Sequence, residues 1–270
     1  VPNMSRPPVH IDLSRDHHVH TSFCHHAVGT MEDYVLAARD KGLRQLNFLE
    51  HMESGIDYFQ TTWLSESDFD DYFTEGERLR RQYGDRLDIG LGVEVGYNPD
   101  SKDRLLERLS KRKWDQIGIS YHYCRHPGFD HHLNLVSRKE SNIQAILQAG
   151  PDRLLHQYFD TLIEAVQVLP GTILCHLDAG LRYVPGLRFS EGHAAKISLL
   201  LDAVKAKAMS VEINTSGLAI RNEPFPAAQF VAMAIARDIP LVASSDAHSP
   251  KDVGRHFERL PAFLNAGIHP

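Results

Sequence analysis

The stretch "DHHVHTSFCHHAVG", residues 16–29, sets five histidines, an aspartate and a cysteine within fourteen positions. Imidazole is a costly core filler, but its neutral nitrogen is a common transition-metal ligand. His18 and His20 stand at i, i+2, which in a strand turns both side chains to one side. Local spacing alone does not separate a metal site from a His-rich surface tract. The deciding question is whether distant parts of the chain supply matching ligands, and they do. His26 follows in the same stretch, His51 ends "NFLEH", Glu94 ends "GLGVE", His122 ends "IGISYH" and His176 ends "TILCH". Asp246 and His248 end "LVASSDAH", again at i, i+2. Seven imidazoles and two carboxylates suit zinc, iron or manganese better than calcium or an iron–sulfur cluster. Nine ligands are too many for one ion that keeps an open position. Two or three divalent transition-metal ions are therefore expected, and a carboxylate such as Glu94 can bridge a pair of them.

These ligands need elements to present them. Short apolar runs at Asp16–Thr21, Gln45–Glu50, Leu87–Val93, Gln116–Tyr121, Thr172–Cys175, Met209–Asn214 and Pro240–Ser244 read as buried strands. Helical spacing fills Met31–Lys41, Asp68–Tyr83, Lys102–Lys111, Pro151–Val168, Gly192–Lys207, Pro226–Arg237 and Pro250–Asn265. Thr30 with Asp33 forms a capping-box pattern, and Gly42 supplies a left-handed stop; Ser67 and Gly84 are expected to play the same parts for the second helix. Seven β-then-α units imply a parallel sheet, because parallel strands need crossover connections. A closed or nearly closed barrel is preferred, with a doubly wound open sheet as the alternative. In a barrel the C-terminal strand ends share one face. Six of the seven strands end in a candidate ligand, so residues more than 200 positions apart would converge there. The segment from Cys124 to Gly150 is the least regular and reads as a βα insertion near the site.

With 42% hydrophobic and 24% charged residues, the 270-residue chain has the composition of an ordinary globular protein. Residues 16–270 read as a single barrel domain after an N-terminal extension, 1–15, whose first three residues ahead of Met4 are expected to be a cloning remnant. A net charge of −6 argues against a broad nucleic-acid surface but not against an anionic small substrate, since bound cations can dominate the local field. The three cysteines, without CxxC spacing, read as reduced thiols in a cytoplasmic protein. No apolar run approaches a membrane span, and no partner beyond a small-molecule substrate is expected.

The pieces "DHHVHTSFCHHAVG", "EHMES", "GVEVGY", "SYHY", "CHLD", "INTSGL" and "SSDAHSPKDVG" resemble, in order and spacing, the PHP (polymerase and histidinol phosphatase) family. The likeness runs from Asp16 to Gly254 and is nearest to the stand-alone histidinol-phosphate phosphatases. It implies a distorted seven-stranded (β/α)7 TIM-like barrel with a trinuclear centre at the C-terminal strand ends. One metal would take His18, His20, Glu94 and Asp246; a second Glu94, His122 and His176; the third His26, His51 and His248. Glu50 stands where many relatives carry Asp, and the segment "CRHPGFDHHLNLVSRKE" has no fixed counterpart.

The resemblance further implies a metal-dependent phosphomonoester hydrolase, an L-histidinol-phosphate phosphatase of histidine biosynthesis, with a metal-bridging hydroxide as nucleophile. Glu94, Asp246 and His248 would be central to that chemistry. A phosphoesterase acting on a nucleotide or another small ester, or a metal-binding protein without turnover, are the competing readings. By chain position Arg182, Arg221 and Ser216 are candidates for phosphate, with Arg188 and Arg125 as outside candidates. Asp178 is a candidate proton donor, substrate contact or support for a ligand, and Asp16 is expected to orient a ligating imidazole. His17 and His25 are out of phase and expected to pack or to support the ligands. His126, His131 and His132 read as a solvated loop, and Cys24 and Cys175 as packing.

Overall fold

The computed structural model describes residues 9–266, so the expectation for residues 1–3 lies outside the described residues. Nine strands run in chain order as β1 (Arg15–Val19), β2 (Gln45–Met52), β3 (Asp88–Gly96), β4 (Ile117–Ser120), β5 (Tyr123–Cys124), β6 (Leu133–Asn134), β7 (Ile173–Leu174), β8 (Ser210–Asn214) and β9 (Leu241–Ser244). Seven of them form one parallel sheet in the order β1-β2-β3-β4-β7-β8-β9, while β5 and β6 make a separate antiparallel hairpin. The crossovers carry α1 (Met31–Asp40), α2 (Glu66–Tyr83), α3 (Lys102–Ser110), α4 (Glu140–Ala149), α5 (Pro151–Val168), α6 (Glu191–Ala206), α7 (Gly217–Arg221) and α8 (Ala228–Ile235), and α9 (Leu260–Asn265) ends the described chain.

The seven strands appear where the apolar runs placed them, and the starts of α1, α2 and α6 follow capping chemistry. Thr30 and Asp33 exchange both bonds of a capping box. The second helix starts earlier than expected: Ser65, not Ser67, caps it, paired with Asp68. Gly42 takes the left-handed conformation (φ 72°), but Gly84 stays right-handed at φ −66°, so α2 ends without that motif. The expected helix from Pro250 to Asn265 is broken into short 3-10 turns at Pro250–Asp252 and Phe257–Arg259 before α9. The irregular segment 124–150 holds one strand of the hairpin, half of the other and α4.

The sheet divides its two faces by alternation. Outward residues such as Leu46, Phe48, Leu91 and Val93 pack against Phe69, Tyr72 and Leu79 of α2 in the main apolar core. Each such burial contributes about 1.5–3 kcal/mol. A second small cluster of Leu49, Ile173 and Cys175 fills the inside of the barrel.

Closure of the barrel is partial. β1 meets the segment after β9 through a single bridge, Val19 to Ala247, and a bond from His20 N to Ala247 O at 2.9 Å. Below that bridge a side chain replaces the missing ladder. Buried Asp16 accepts from Ser245 N (3.0 Å), Ser245 Oγ (2.5 Å), Gly254 N (2.8 Å) and His18 N (3.3 Å). The expectation that Asp16 orients an imidazole is therefore corrected. A bulge in β1 between Asp16 and Val19 breaks the alternation and turns its carboxylate to the seam. Removing it would strand several buried donors, each costing about 1–3 kcal/mol. Asp16→Ala should lower the unfolding free energy of the metal-free protein by about 3 kcal/mol or more in urea titrations; unchanged stability would show the seam is held by something else.

Candidate metal centre

All nine candidate ligands meet at the C-terminal mouth of the barrel. His18 Nε2 and His20 Nε2 lie 2.8 Å apart. Each is 3.4 Å from Glu94 Oε2, and they stand 3.8 and 3.4 Å from Asp246 Oδ1. The other oxygen of Glu94 is 2.8 Å from His176 Nε2 and 3.1 Å from His122 Nε2. His26, His51 and His248 each present an atom within 4.8 Å of the others, with His26 at the exposed rim. His51 Nδ1 also lies 3.0 Å from Glu94 Oε2, which joins this group to the rest.

Two of these positions depend on unusual backbone. Cys175 points into the barrel, so simple alternation would turn His176 outward; a left-handed φ of 24° brings it back to the mouth. Asp246 also has a positive φ, 50°. Such conformations cost free energy in a residue with a side chain and gather at functional sites.

Outer partners fix the direction of the rings. His18 Nδ1 faces Glu212 Oε1 at 2.6 Å, and His122 Nδ1 faces Glu53 Oε1 at 2.8 Å. His26 Nδ1 meets Cys24 O, and His248 Nδ1 meets Asp246 O, both at 3.0 Å. An acceptor oxygen at Nδ1 holds the proton of a neutral ring there and leaves the Nε2 lone pair facing inward. At His18 and His122 those lone pairs face the Glu94 carboxylate, at 3.4 and 3.1 Å, so acceptor faces acceptor. Glu94 Oε2, His20 Nδ1 and His176 Nδ1 are buried without any hydrogen-bond partner. Buried unpaired polar atoms are costly, and a divalent cation would satisfy them together. The donor set of imidazoles and carboxylates fits a transition-metal ion.

The proton affinities follow the same conflict. Burial pushes the His18 and His122 imidazoliums down, but Glu212 and Glu94 outweigh it at His18, and Glu94 with Glu53 carries His122 up to about 10. Burial and the neighbouring rings of His51 and His248 drive His20 well down and His26 to about 3. Burial raises the Glu94 carboxyl, yet His122, His18 and His51 hold it well below the usual carboxylate range. At His20, His26 and Glu94 protons compete little with metal near neutrality, whereas at His18 and His122 a metal ion has to displace a proton.

Sequence reasoning passed over two supporting carboxylates. Glu212 is fully buried and accepts from His18 Nδ1, His176 N (2.6 Å), Ser244 Oγ (2.5 Å) and Asn214 Nδ2 (3.2 Å). Glu53 holds His122. The signal was the strand phase itself, since His51 and Glu53 stand at i, i+2, as do Glu212 and Asn214. Asn214 links onward, donating to Asp246 Oδ2 at 3.2 Å and accepting from Ser216 Oγ at 2.6 Å. Glu50 accepts from Thr21 N and Oγ and leaves an oxygen 3.9 Å from His20 Nδ1.

A cavity of about 1030 Å³ opens over the centre. Arg182, Ser216 and Arg255 line one part, and Thr62, Tyr123 and Asn134 another. Arg182 Nε is buried and unpaired. Arg255, not singled out from sequence, donates to Ser245 O at 3.1 Å. Arg221 is held beside Asp178 (3.0 Å) with its guanidinium over the Phe225 ring, 4.2 Å from the centroid. Asp178 departs from the part expected of it. It is buried, and its oxygens are taken by Arg221 Nη2 and Ala227 N, so it holds Arg221 and does not line the cavity. Arg125 and Arg188 are exposed and outside the cavity. His126, His131 and His132 are also outside it, with His131 exposed and His126 partly buried. His132 is buried and so departs from the expected solvated loop, pairing with Asp57 through N to O at 2.8 Å and Nδ1 to N at 3.0 Å. His17 joins Asn47 and Gln116 in a polar layer inside the barrel, and His25 is half-exposed, 3.7 Å from Asp68. Cys24, Cys124 and Cys175 are all buried and free.

Comparison with known proteins gives concordant results. The PHP domain profile matches residues 16–216, and a PHP-associated profile matches residues 229–265. A Deinococcus radiodurans protein assigned as a histidinol-phosphatase is 28% identical over 247 residues, covering 90% of this chain and 89% of its own. The Bacillus subtilis histidinol-phosphatase is 26% identical, with 93% and 98% covered. The crystal structure of Lactococcus lactis histidinol phosphate phosphatase, complexed with zinc, L-histidinol and phosphate, superposes with a TM-score of 0.75 at 18% identity, covering 94% of each chain. The domain match spans well over half the sequence, and on that ground the chain belongs to the PHP domain family.

Proposed function

We propose that this chain is a metal-dependent phosphomonoesterase whose substrate is L-histidinol phosphate. The observation that carries the reading is the acceptor-only centre beneath a cavity with an unpaired guanidinium, Arg182. The relatives named as histidinol-phosphatases, aligned over nine-tenths of the chain, supply the substrate. Three ions are proposed, held by His18, His20, Glu94 and Asp246; by Glu94, His122 and His176; and by His26, His51 and His248. Zinc, iron and manganese all suit that donor set. Three buried free thiols support a reducing, cytoplasmic setting, and among the described residues no helix is long and apolar enough to cross a membrane. We treat residues 16–270 as one domain.

When bound, the divalent ions supply Lewis acidity, an acidified water and neutralisation of the phosphate charge. The protein residues do the rest. Arg182 and Arg255 offer planar guanidinium donors to the non-bridging phosphate oxygens, with the Ser216 hydroxyl between them. Asp178 neutralises Arg221, and neither residue lines the cavity, so the phosphate contact expected of Arg221 falls to Arg182 and Arg255. Asn214 relays the Ser216 hydroxyl to Asp246 and so keeps the phosphate side and the ligand side in register. Glu212 and Glu53 hold His18 and His122 in the tautomer that leaves Nε2 free. The Tyr123, Asn134 and Thr62 wall takes the alcohol product.

Treatment with a chelator should abolish hydrolysis, and manganese or zinc should restore it. In a panel of phosphate esters, histidinol phosphate should turn over at least about tenfold faster per kcat/KM than nucleotides, a difference of about 1.4 kcal/mol. A preference for a nucleotide would replace the substrate, and no turnover of any ester by metal-loaded protein would make it a binding protein. Glu94→Gln should lose both bound metal and activity, whereas Glu212→Gln should keep the fold and weaken metal binding about 10–100-fold; native affinity in the Glu212 variant would remove that residue from the centre.

A further inference from the structure

The inner face of β3 is nearly bare. Along "GLGVEVG" the inward positions are Gly90, Gly92, Glu94 and Gly96, so three of four carry no side chain. At Gly96 the space is already taken by another part of the molecule. A Cβ there would lie 1.9 Å from Glu53 Oε1, 2.1 Å from Glu53 Cδ and 2.1 Å from Glu53 Oε2. No real contact is that short, so the Glu53 carboxylate occupies the volume a side chain at position 96 would claim.

The same carboxylate is the partner of His122, Oε1 to Nδ1 at 2.8 Å, and the far nitrogen of that ring faces Glu94 Oε1 at 3.1 Å. The Glu53 side chain is only 3% exposed and borders the cavity over the centre, while its backbone carbonyl is held, accepting from Arg108 Nη1 at 2.7 Å. Arg108 also binds Leu64 O at 2.9 Å and Glu66 Oε1 at 2.6 Å, clamping both ends of the segment. A methyl group at position 96 would therefore rotate the carboxylate off Nδ1 without moving the backbone behind it.

We propose that Gly96 is a positioning residue of the metal centre: its missing side chain seats the Glu53 carboxylate, which fixes the orientation and tautomer of His122. The proposal rests on the metal reading given above. β3 thus contributes twice, through the Glu94 carboxylate and, two residues on, through a hollow for a carboxylate delivered by the loop after β2. The residue type at 96 matters because glycine alone leaves that volume free.

The test is metal affinity, measured by competition between protein and a chromophoric chelator for zinc, with stoichiometry by elemental analysis. Gly96→Ala should bind its weakest ion about 10–100-fold less tightly than the native protein. Combining it with Glu53→Asp, whose shorter side chain clears the methyl group, should recover part of that loss. Glu53→Gln, close to isosteric, should weaken binding on its own and serves if the alanine variant does not fold. Gly90→Ala is the control. There a Cβ would lie 1.8 Å from Asn47 Oδ1, in the polar layer away from the centre, so it should lower stability while leaving zinc affinity unchanged. Native affinity in both Gly96→Ala and Glu53→Gln, or an equal loss in Gly90→Ala, would overturn the proposal. A native protein that takes up no zinc would instead overturn the metal reading.

Discussion

Lone pairs packed together without protons between them repel, and this chain gathers them at the mouth of its barrel. Inward-facing imidazole nitrogens meet the carboxylates of Glu94 and Asp246, while the protons of the rings are drawn outward by Glu212, Glu53 and backbone carbonyls. Burial removes the water that would relieve the conflict. Either protons or cations must enter, and the opposed shifts of His18 and His20, two residues apart, show that protonation relieves it only at some rings. A cation at the centre would satisfy all of these atoms together. The outer carboxylates matter as much as the inner ligands, because they decide which nitrogen carries the proton.

That demand explains the departures of the barrel from regularity. A symmetric closure would give β1 a full ladder with β9. Here the bulge that turns His18 and His20 inward releases Asp16 to the seam, where its carboxylate stands in for backbone bonds to Ser245 and Gly254. β7 is two residues long and ends in a left-handed turn that redirects His176. Strained backbone and a polar seam cost stability, which the outward face supplies through its continuous apolar packing against the helices. Structure-bearing and chemistry-bearing residues are thus segregated by strand phase across a single sheet.

The two halves of the cavity rim differ in origin. One side, with Arg182, Ser216 and Arg255, rises from the loops after β7, β8 and β9. The opposite wall is built where the loop after β2 joins the β5–β6 hairpin through Asp57 and His132 and through the packing of Tyr58 and Trp63 on Tyr123. Under the proposed function the first side would meet the phosphate and the second, which includes Asn134 from the segment without a fixed counterpart in the family, the leaving group.

Periodicity and residue type alone determined the seven strands, most of the helices between them (not α4 or α7) and the nine ligand-type residues, because alternation and strand-end position are local properties of the chain. The same local reasoning identified the Thr30 cap and the Gly42 stop. It failed where distant groups compete for one side chain. Asp16 was assigned to an imidazole yet serves the seam; Asp178 was assigned a possible chemical role yet anchors Arg221; Glu212 and Glu53 were passed over although they stand in phase with inward-facing residues. Each of these outcomes turns on which buried donor lies within hydrogen-bond reach. That depends on the barrel closing and on single torsions at His176 and Asp246, and only the tertiary structure decides it.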